Sequence, residues 1–524
     1  MLFTKRAALT AIFALSAAAG FAQTSTLNGI EQMSRSALSP IYSGNEVKGY
    51  MMFGHGDKAD RKNDNYLLDF YDQDLGKVSS VTIQKPANRF TLLKNSFNGS
   101  AFAFYFCNFK DETLEIETYD TSLKKLGTKV IEDLSKVDKM IIQNQLKQNG
   151  ETDTFQGTMS LFAVPGHGFV RNSFSGMMKG YALVMYDDNL KIRWRLASDE
   201  KSKQYEMISL TEATDKYILG MMVRRDGMMS KQVTSSMVAI DATTGKKIMD
   251  LPVETSKTEQ LSLSSFTFDP EKREFVAVGE YYKLDDKPFV NKSQGFYIKR
   301  FSEAGKVVSA KNYGWQKEVM SLMPAEAKAS LEDNFVNYTH SIVKGADGKL
   351  YIVAEQYKIV ADGMGIALSA LGGGRGPSVS KGKIGNLLVF ELDPQAKLSS
   401  VKFYQKDPSN ATLPPGSGLM SAGILGHVIK SQGGFDYQFL QRNDANSQFN
   451  VVYINFDKEK GEGTKRIIGN IAFGDNGKYA VDKIDFTSTA NYSYLYPAKP
   501  GYVMIADYYK KKNQLGMKLV KLNI

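Results

Sequence analysis

Tyr181–Arg195, YALVMYDDNLKIRWR, is the stretch whose reading decides the fold. Tyr181–Tyr186 is a short apolar run of β-favouring residues. Asp187-Asp188-Asn189 reads as a turn, because Asx side chains bond to nearby backbone and tolerate tight geometry. Leu190–Arg195 then alternates apolar and charged residues, the two-residue period of a half-buried strand. The stretch is therefore a β-hairpin with an Asp-led turn.

The same shape recurs along the 524 residues. Tyr66–Tyr71 runs into Asp72–Lys77, and Leu114–Tyr119 into Asp120-Thr121-Ser122. Met237–Ile240 runs into Asp241–Lys246, Phe296–Phe301 into Ser302–Lys306, and Leu387–Leu392 into Asp393-Pro394-Gln395. Val451–Phe456 runs into Asp457-Lys458-Glu459, and Met517–Leu522 is a first strand with no second. A second hairpin precedes most of these: Phe266–Gly279 around Asp269–Lys272, Ser341–Ala354 around Gly345–Gly348, and His427–Leu440 around Ser431–Gly434. Each unit is thus four strands, A to D. No such unit buries both its faces alone, so units must stack and the ring must close. The expectation is an all-β chain forming a single β-propeller of four-stranded blades, eight favoured and seven the alternative, with stacked β-sandwiches as the competing architecture. Ser25–Tyr42 is expected to supply the strand that the last blade lacks.

Residues 1–22 read as a signal peptide. Lys5-Arg6 is the positive region, Ala7–Ala19 the apolar one, and Gly20-Phe21-Ala22 the small-x-small cleavage pattern. The apolar run is shorter than the roughly 20 residues a membrane span needs. Cleavage after Ala22 leaves residues 23–524 as the propeller domain, exported to the periplasm or the outer surface, with no later transmembrane segment. The net charge of +10 falls to +8 once Lys5 and Arg6 leave with the peptide. So mild a charge, with Lys510-Lys511-Lys512 as its densest cluster, does not make the stripe that nucleic acid requires. Cys107, the only cysteine, lies in the apolar run Ala101–Phe109 and reads as a buried, inert thiol.

In such a ring the A–B and C–D turns lie on one face, and the B–C and D–A connections on the other. The long segments all belong to the second class: Glu132–Gln156, Gly314–Tyr338 and Asp407–Gly426 between D and A, and His55–Asn65, Arg224–Gln232, Leu284–Ser293 and Val360–Gly385 between B and C. Lengthening a loop costs only about 0.6 kcal/mol per doubling, so stability does not explain the asymmetry. Long loops on a rigid scaffold commonly carry function. Ser135–Gln148 and Pro324–Glu332 have helical patterning and form short helical insertions on that face.

The candidate site residues follow from this placement. Gly373 and Arg375, in the glycine run of Val360–Gly385, lie on the loop-rich face with Lys381 and Lys383. A phosphate loop is excluded there, because Lys383 is followed by Ile384 rather than Ser or Thr. His340 and His427 are placed at the starts of innermost strands, facing the channel. His55 and His167 fall in Gly-His-Gly turns. No third ligand accompanies the channel histidines, so no metal is assigned. The sequence holds no His-Glu-x-x-His, Gly-x-Ser-x-Gly or calcium-loop pattern, so no catalytic residue and no cofactor are assigned. The paired methionines Met177-Met178, Met221-Met222 and Met228-Met229 read as packing residues.

Ala239–Met249 resembles the blade repeat of quinoprotein dehydrogenases, with Met249 where that repeat has Trp; the resemblance implies a propeller turn and no quinone. Gly501–Leu522 is similar to the end of type IX secretion signals of Bacteroidetes, without their Pro-Asn-Pro element. The chain as a whole resembles uncharacterised secreted Bacteroidetes propeller-like proteins, a resemblance that implies no active site. The expected function is non-catalytic binding of a protein or cell-envelope partner through the loop-rich face. The alternative is a hydrolase or lyase acting on a glycan or peptide at the channel mouth, with Asp285, Asp286 or His340 as its groups.

Overall fold

Asp187 shows why the hairpin turns where it does. Its carboxylate accepts the backbone N–H groups of Asn189 at 3.0 Å and Lys191 at 2.9 Å, while Leu190 takes the left-handed conformation at φ 61°. The same cage recurs at Asp72, Asp120 and Asp393, each accepting from the residues two and four positions on, with Leu75, Leu123 and Ala396 left-handed. Asp241 and Ser302 lead two further turns, closed by Gly245 and Gly305. One side-chain acceptor satisfying two turn amides specifies the C–D hairpin locally.

A computed structural model describes residues 23–522 apart from 32, 34–36, 44, 88, 109, 133, 135–138, 140–159, 176–178, 200, 228–232, 254–257, 287–290, 292, 333–334, 346–347, 362–379, 414–421, 444–447, 460–462 and 475–478. It is an eight-bladed β-propeller of antiparallel sheets. Blades 1 to 7 take their strands from 38–86, 90–131, 160–197, 205–252, 259–314, 336–404 and 437–485. Blade 8 joins Tyr492–Pro497, Tyr502–Tyr509 and Gln514–Lys521 to the N-terminal strand Thr24–Asn28, which pairs Thr24 with Lys518 and Asn28 with Gln514. The ring is closed by chain from its two ends, as the incomplete last hairpin requires.

The core lies between blades. Ala101–Asn108 (AFAFYFCN) is buried at every position. Phe102, Phe104 and Phe106 pack on Met51, Phe53, Leu68 and Phe70 of blade 1, with Phe53 and Phe104 centroids 4.4 Å apart. Ala103, Tyr105 and Cys107 face Leu161, Phe169, Val184 and Leu190 of blade 3. Alternate side chains thus enter alternate interfaces, which is why a strand of near-continuous apolar character is stable here. Burial pushes the Cys107 thiol up to about 12, which keeps it protonated and unreactive. Trp194 of the founding hairpin donates its indole N–H to Ala242 O at 3.0 Å and lies on the next blade's turn. A Cβ at Gly245 would stand 2.4 Å from Trp194 Cδ2, so that turn requires glycine.

The helical insertions fall in D–A connections: a π-helical turn Trp315–Val319 and helix α1 (Ala325–Glu332) before blade 6, and helix α2 (Ala422–Ser431) before blade 7. Lys510–Lys512 forms a 3-10 turn between two strands of blade 8. The proposed helix Ser135–Gln148 lies almost wholly outside the described residues, as does residues 1–22 entirely.

Three local expectations are corrected. His427–Lys430 is not an innermost strand but part of α2, where Leu425 and Ile429, one turn apart, are buried on one side. A four-residue apolar run does not distinguish helix from strand. In consequence blade 7 is shifted: Val451–Phe456 belongs to its second strand, Gln448–Glu459, and the first is Tyr437–Asn443. His55 sits within strand Glu46–Lys58 rather than a turn, between Glu31 at 3.1 Å and Asp64 at 3.6 Å. Its Gly-His-Gly context reflects close packing, since a Cβ at Gly54 would meet Met52 and one at Gly56 would meet Leu67.

Candidate functional site

On the loop-rich face blade 6 is extended into a raised, five-stranded sheet. Its innermost strand Val336–Lys344 pairs Val336 with Tyr357, so its neighbours Leu350–Ala361 and Ser380–Leu392 run on beyond it. Ser409–Thr412 then adds a third strand, pairing Asn410 with Lys383 and Thr412 with Lys381. Residues 360–361 and 380–385 are therefore strand where a loop is expected, and the glycine run between them lies outside the described residues.

This raised sheet has two unlike faces. Tyr357, Ile384 and Ala411 point inward and join Leu413, Leu425, Ile429 and Phe435 in a small core of their own. The other face carries Lys358, Lys383 and Asn410 in one row and Val360, Lys381 and Thr412 in the next. Asn410 and Thr412 are exposed, and the three lysines half-buried. Lys358 Nζ stands 4.5 Å over the Phe335 ring.

Under the raised sheet lies a closed network of charge. Glu355 forms an ion pair with Lys406 Nζ at 3.0 Å through one oxygen, and accepts from His340 Nε2 and the Tyr437 N–H, both at 3.1 Å, on the other. Lys406 also reaches Asp436, and Ser409 Oγ donates to Asp436 at 2.8 Å. The side chains of His340, Glu355 and Lys406 are 0% exposed. Burial opposes the Lys406 charge, but Glu355 and Asp436 more than offset it and hold the ammonium above its usual range. Burial pushes the Asp436 carboxyl up to about 6 against the pull of Lys406. Burial, with the nearby Lys430 and Lys406 charges, holds His340 well below the ordinary histidine range, so the ring is neutral. It stacks on Tyr437 at 4.2 Å and 9°, with Phe435 edge-on at 4.7 Å. Such an arrangement locks blade 6 to blade 7.

The central channel holds a cavity of about 580 Å³, lined among others by Glu212, Ser265, Thr267, Lys430, Gln438 and Arg442. Burial raises the Glu212 carboxyl, against hydrogen bonds from the Thr267 hydroxyl and the Phe268 N–H. Its walls are polar, neither a ring of carboxylates nor an apolar plug. A second depression of about 560 Å³ on the short-turn face is bordered by Lys216 and Arg273, both held by Glu303.

Of the expected site residues, Lys381 and Lys383 lie together on the outer face of the raised sheet. His340 is on the innermost strand as expected, but its imidazole is buried among aromatic rings rather than open to the channel. His427 is on α2, beside the Tyr338 hydroxyl at 3.1 Å, and burial lowers it to about 4. The two histidines share Tyr338 as neighbour and no common ligand position. Gly373 and Arg375 lie outside the described residues. Among the described residues no three His, Cys, Asp or Glu side chains converge as a metal site. Asp286 caps a turn by accepting the Lys283 N–H at 3.1 Å. Glu355, Lys406 and Asp436 escaped the sequence reading, because three residues on separate strands and loops leave no spacing signal.

Among the described residues no helix is long and apolar enough to cross a membrane. A family model described as a family of unknown function, DUF6770, matches residues 3–523. No curated protein matches the sequence. Among solved structures, a europium-containing methanol dehydrogenase is similar at 12% identity and a TM-score of 0.38, over 82% of this chain and 81% of that one. The dihydro-heme d1 dehydrogenase NirN in complex with DHE is similar at 10% identity and a TM-score of 0.38, over 92% of this chain and 73% of that one. An ulvan lyase of polysaccharide lyase family PL25 is similar at 9% identity and a TM-score of 0.34, over 83% and 93%.

Proposed function

The chain belongs to a family of unknown function, DUF6770, and from that premise we propose that it is an exported, non-catalytic β-propeller that binds a protein or cell-envelope partner through its loop-rich face, at blades 6 and 7. One observation carries this reading. The insertions at those blades fold into a sheet and helix with their own apolar core, and so hold a polar sheet face outward in fixed geometry. A scaffold that fixes a solvated face suits recognition. The charged groups beneath it, Glu355, Lys406 and Asp436, are closed on one another and serve blade-to-blade packing.

The alternative, a glycan- or peptide-acting hydrolase or lyase at the channel mouth, draws on a different observation. Glu212 lines an open cavity with its carboxyl raised by burial, the condition of a general acid. Lysine-directed cross-linking in the native envelope separates the faces. The expected result is links to one reproducible partner through Lys381 and Lys383. Links confined to Lys216, Lys246 and Lys306 on the short-turn face overturn the choice of face.

A further inference from the structure

The outer face of the raised sheet gathers positive charge. Lys358 and Lys383 are directly opposite across paired strands, and Lys381 follows Lys383 on the same face. Like charges set opposite each other repel across a sheet, and here three ammonium groups gather on one face. Each lysine of strand Ser380–Leu392 also has a neutral hydrogen-bonding neighbour in its row: Asn410 beside Lys383, and Thr412 beside Lys381. The two rows are about 7 Å apart, the rise of two strand residues.

We infer that this face binds an acidic polysaccharide. The inference rests on the binding role proposed for this face and names the chemistry of its partner. A chain of acidic sugars repeats what the two rows repeat, an anionic group for the ammonium and hydroxyls for the adjacent amide or hydroxyl. A poly-acidic peptide or a DNA backbone supplies the anion without a hydroxyl beside it for Asn410 and Thr412. Lys358 Nζ, over the face of the Phe335 ring, belongs to the same cationic row. Contacts between exposed charges are individually weak and screened by salt, so the binding is multivalent and salt-sensitive.

The test is affinity electrophoresis of the full chain through gels containing polygalacturonate, with dextran, poly-glutamate and duplex DNA as comparison polymers. The expected result is retardation by polygalacturonate and none by dextran, with retardation at least tenfold weaker at 0.5 M salt. The combined variant K358Q/K381Q/K383Q loses at least tenfold in apparent affinity. N410A/T412A loses several-fold for polygalacturonate while leaving any poly-glutamate binding unchanged. An unaltered melting temperature shows that the lysine variant is folded. Absence of retardation by polygalacturonate overturns the inference, as does equal retardation by poly-glutamate or DNA, or an undiminished K358Q/K381Q/K383Q. Those outcomes leave the partner-binding proposal standing if cross-links still emerge from Lys381 and Lys383. Cross-links confined to the other face defeat both.

Discussion

The two faces of the ring are built by different means. On the short-turn face one device is repeated: an Asp or Ser caps the C–D turn, and a left-handed residue closes it, in six blades. Each copy is local and shares the load. On the loop-rich face, blades 6 and 7 carry a structure with no counterpart among the described residues, held by the buried group of Glu355, Lys406, Asp436 and His340. The first means is redundant and makes a ring. The second is unique and makes a surface. Damage should therefore be mild on one face and severe on the other.

The largest effect is expected at Lys406. Lys406→Met leaves Glu355 and Asp436 facing each other without their cation, at a cost of about 3–5 kcal/mol in denaturant unfolding. A loss under 1 kcal/mol would mean that the network is incidental.

Next comes the pH dependence of Asp436. Its carboxyl is raised from 3.8 to about 6, so the folded state binds the proton more tightly than the unfolded one. Its contribution is fully present below about pH 4 and is lost as pH rises through about 6. Asp436→Asn cannot titrate, so the wild type loses ground to the variant across that window, by on the order of 3 kcal/mol. Unfolding curves for both proteins at pH 4 and pH 7 check the sign; a difference that moves the other way contradicts the assignment. His340 acts oppositely. Held neutral by burial, it stabilises above its unfolded value near 6.5 and costs stability as pH falls below it.

A single turn of the repeated face should be cheap to break. Asp187→Ala removes the acceptor for Asn189 and Lys191 and is expected to cost about 1 kcal/mol. A cost like that of Lys406→Met would erase the contrast between the faces. The smallest effect is at Lys383. Lys383→Gln relieves its opposition to Lys358, and thermal unfolding should show no loss, or a gain of a few tenths of a kcal/mol.

The contrast also sets what the sequence could reveal. The Asp-led turns, the two-residue alternation after Asp187 and the unpaired last hairpin are local signals, and from them the propeller, its blade number and its closing strand were all legible. The raised sector was not. Lys358–Ala361 and Ser380–Ile384 are strand residues in a glycine- and serine-rich setting, and their pairing depends on Ser409–Thr412. The strand-like run His427–Lys430 is helical because Leu425 and Ile429 fill the core under the sheet. Loop class alone places Lys381 and Lys383 on the loop-rich side of blade 6, whereas a position in a strand, the basis for His340 and His427, does not report burial.

The most direct test of the account compares the faces in one experiment. Full-length protein is used to capture its partner from native envelope, alongside two surface variants: K358Q/K381Q/K383Q on the raised sheet and K216Q/R273Q on the short-turn face. The account predicts that capture of the wild-type partner is lost with the first variant and retained with the second. Loss with the second alone, or with neither, would contradict it.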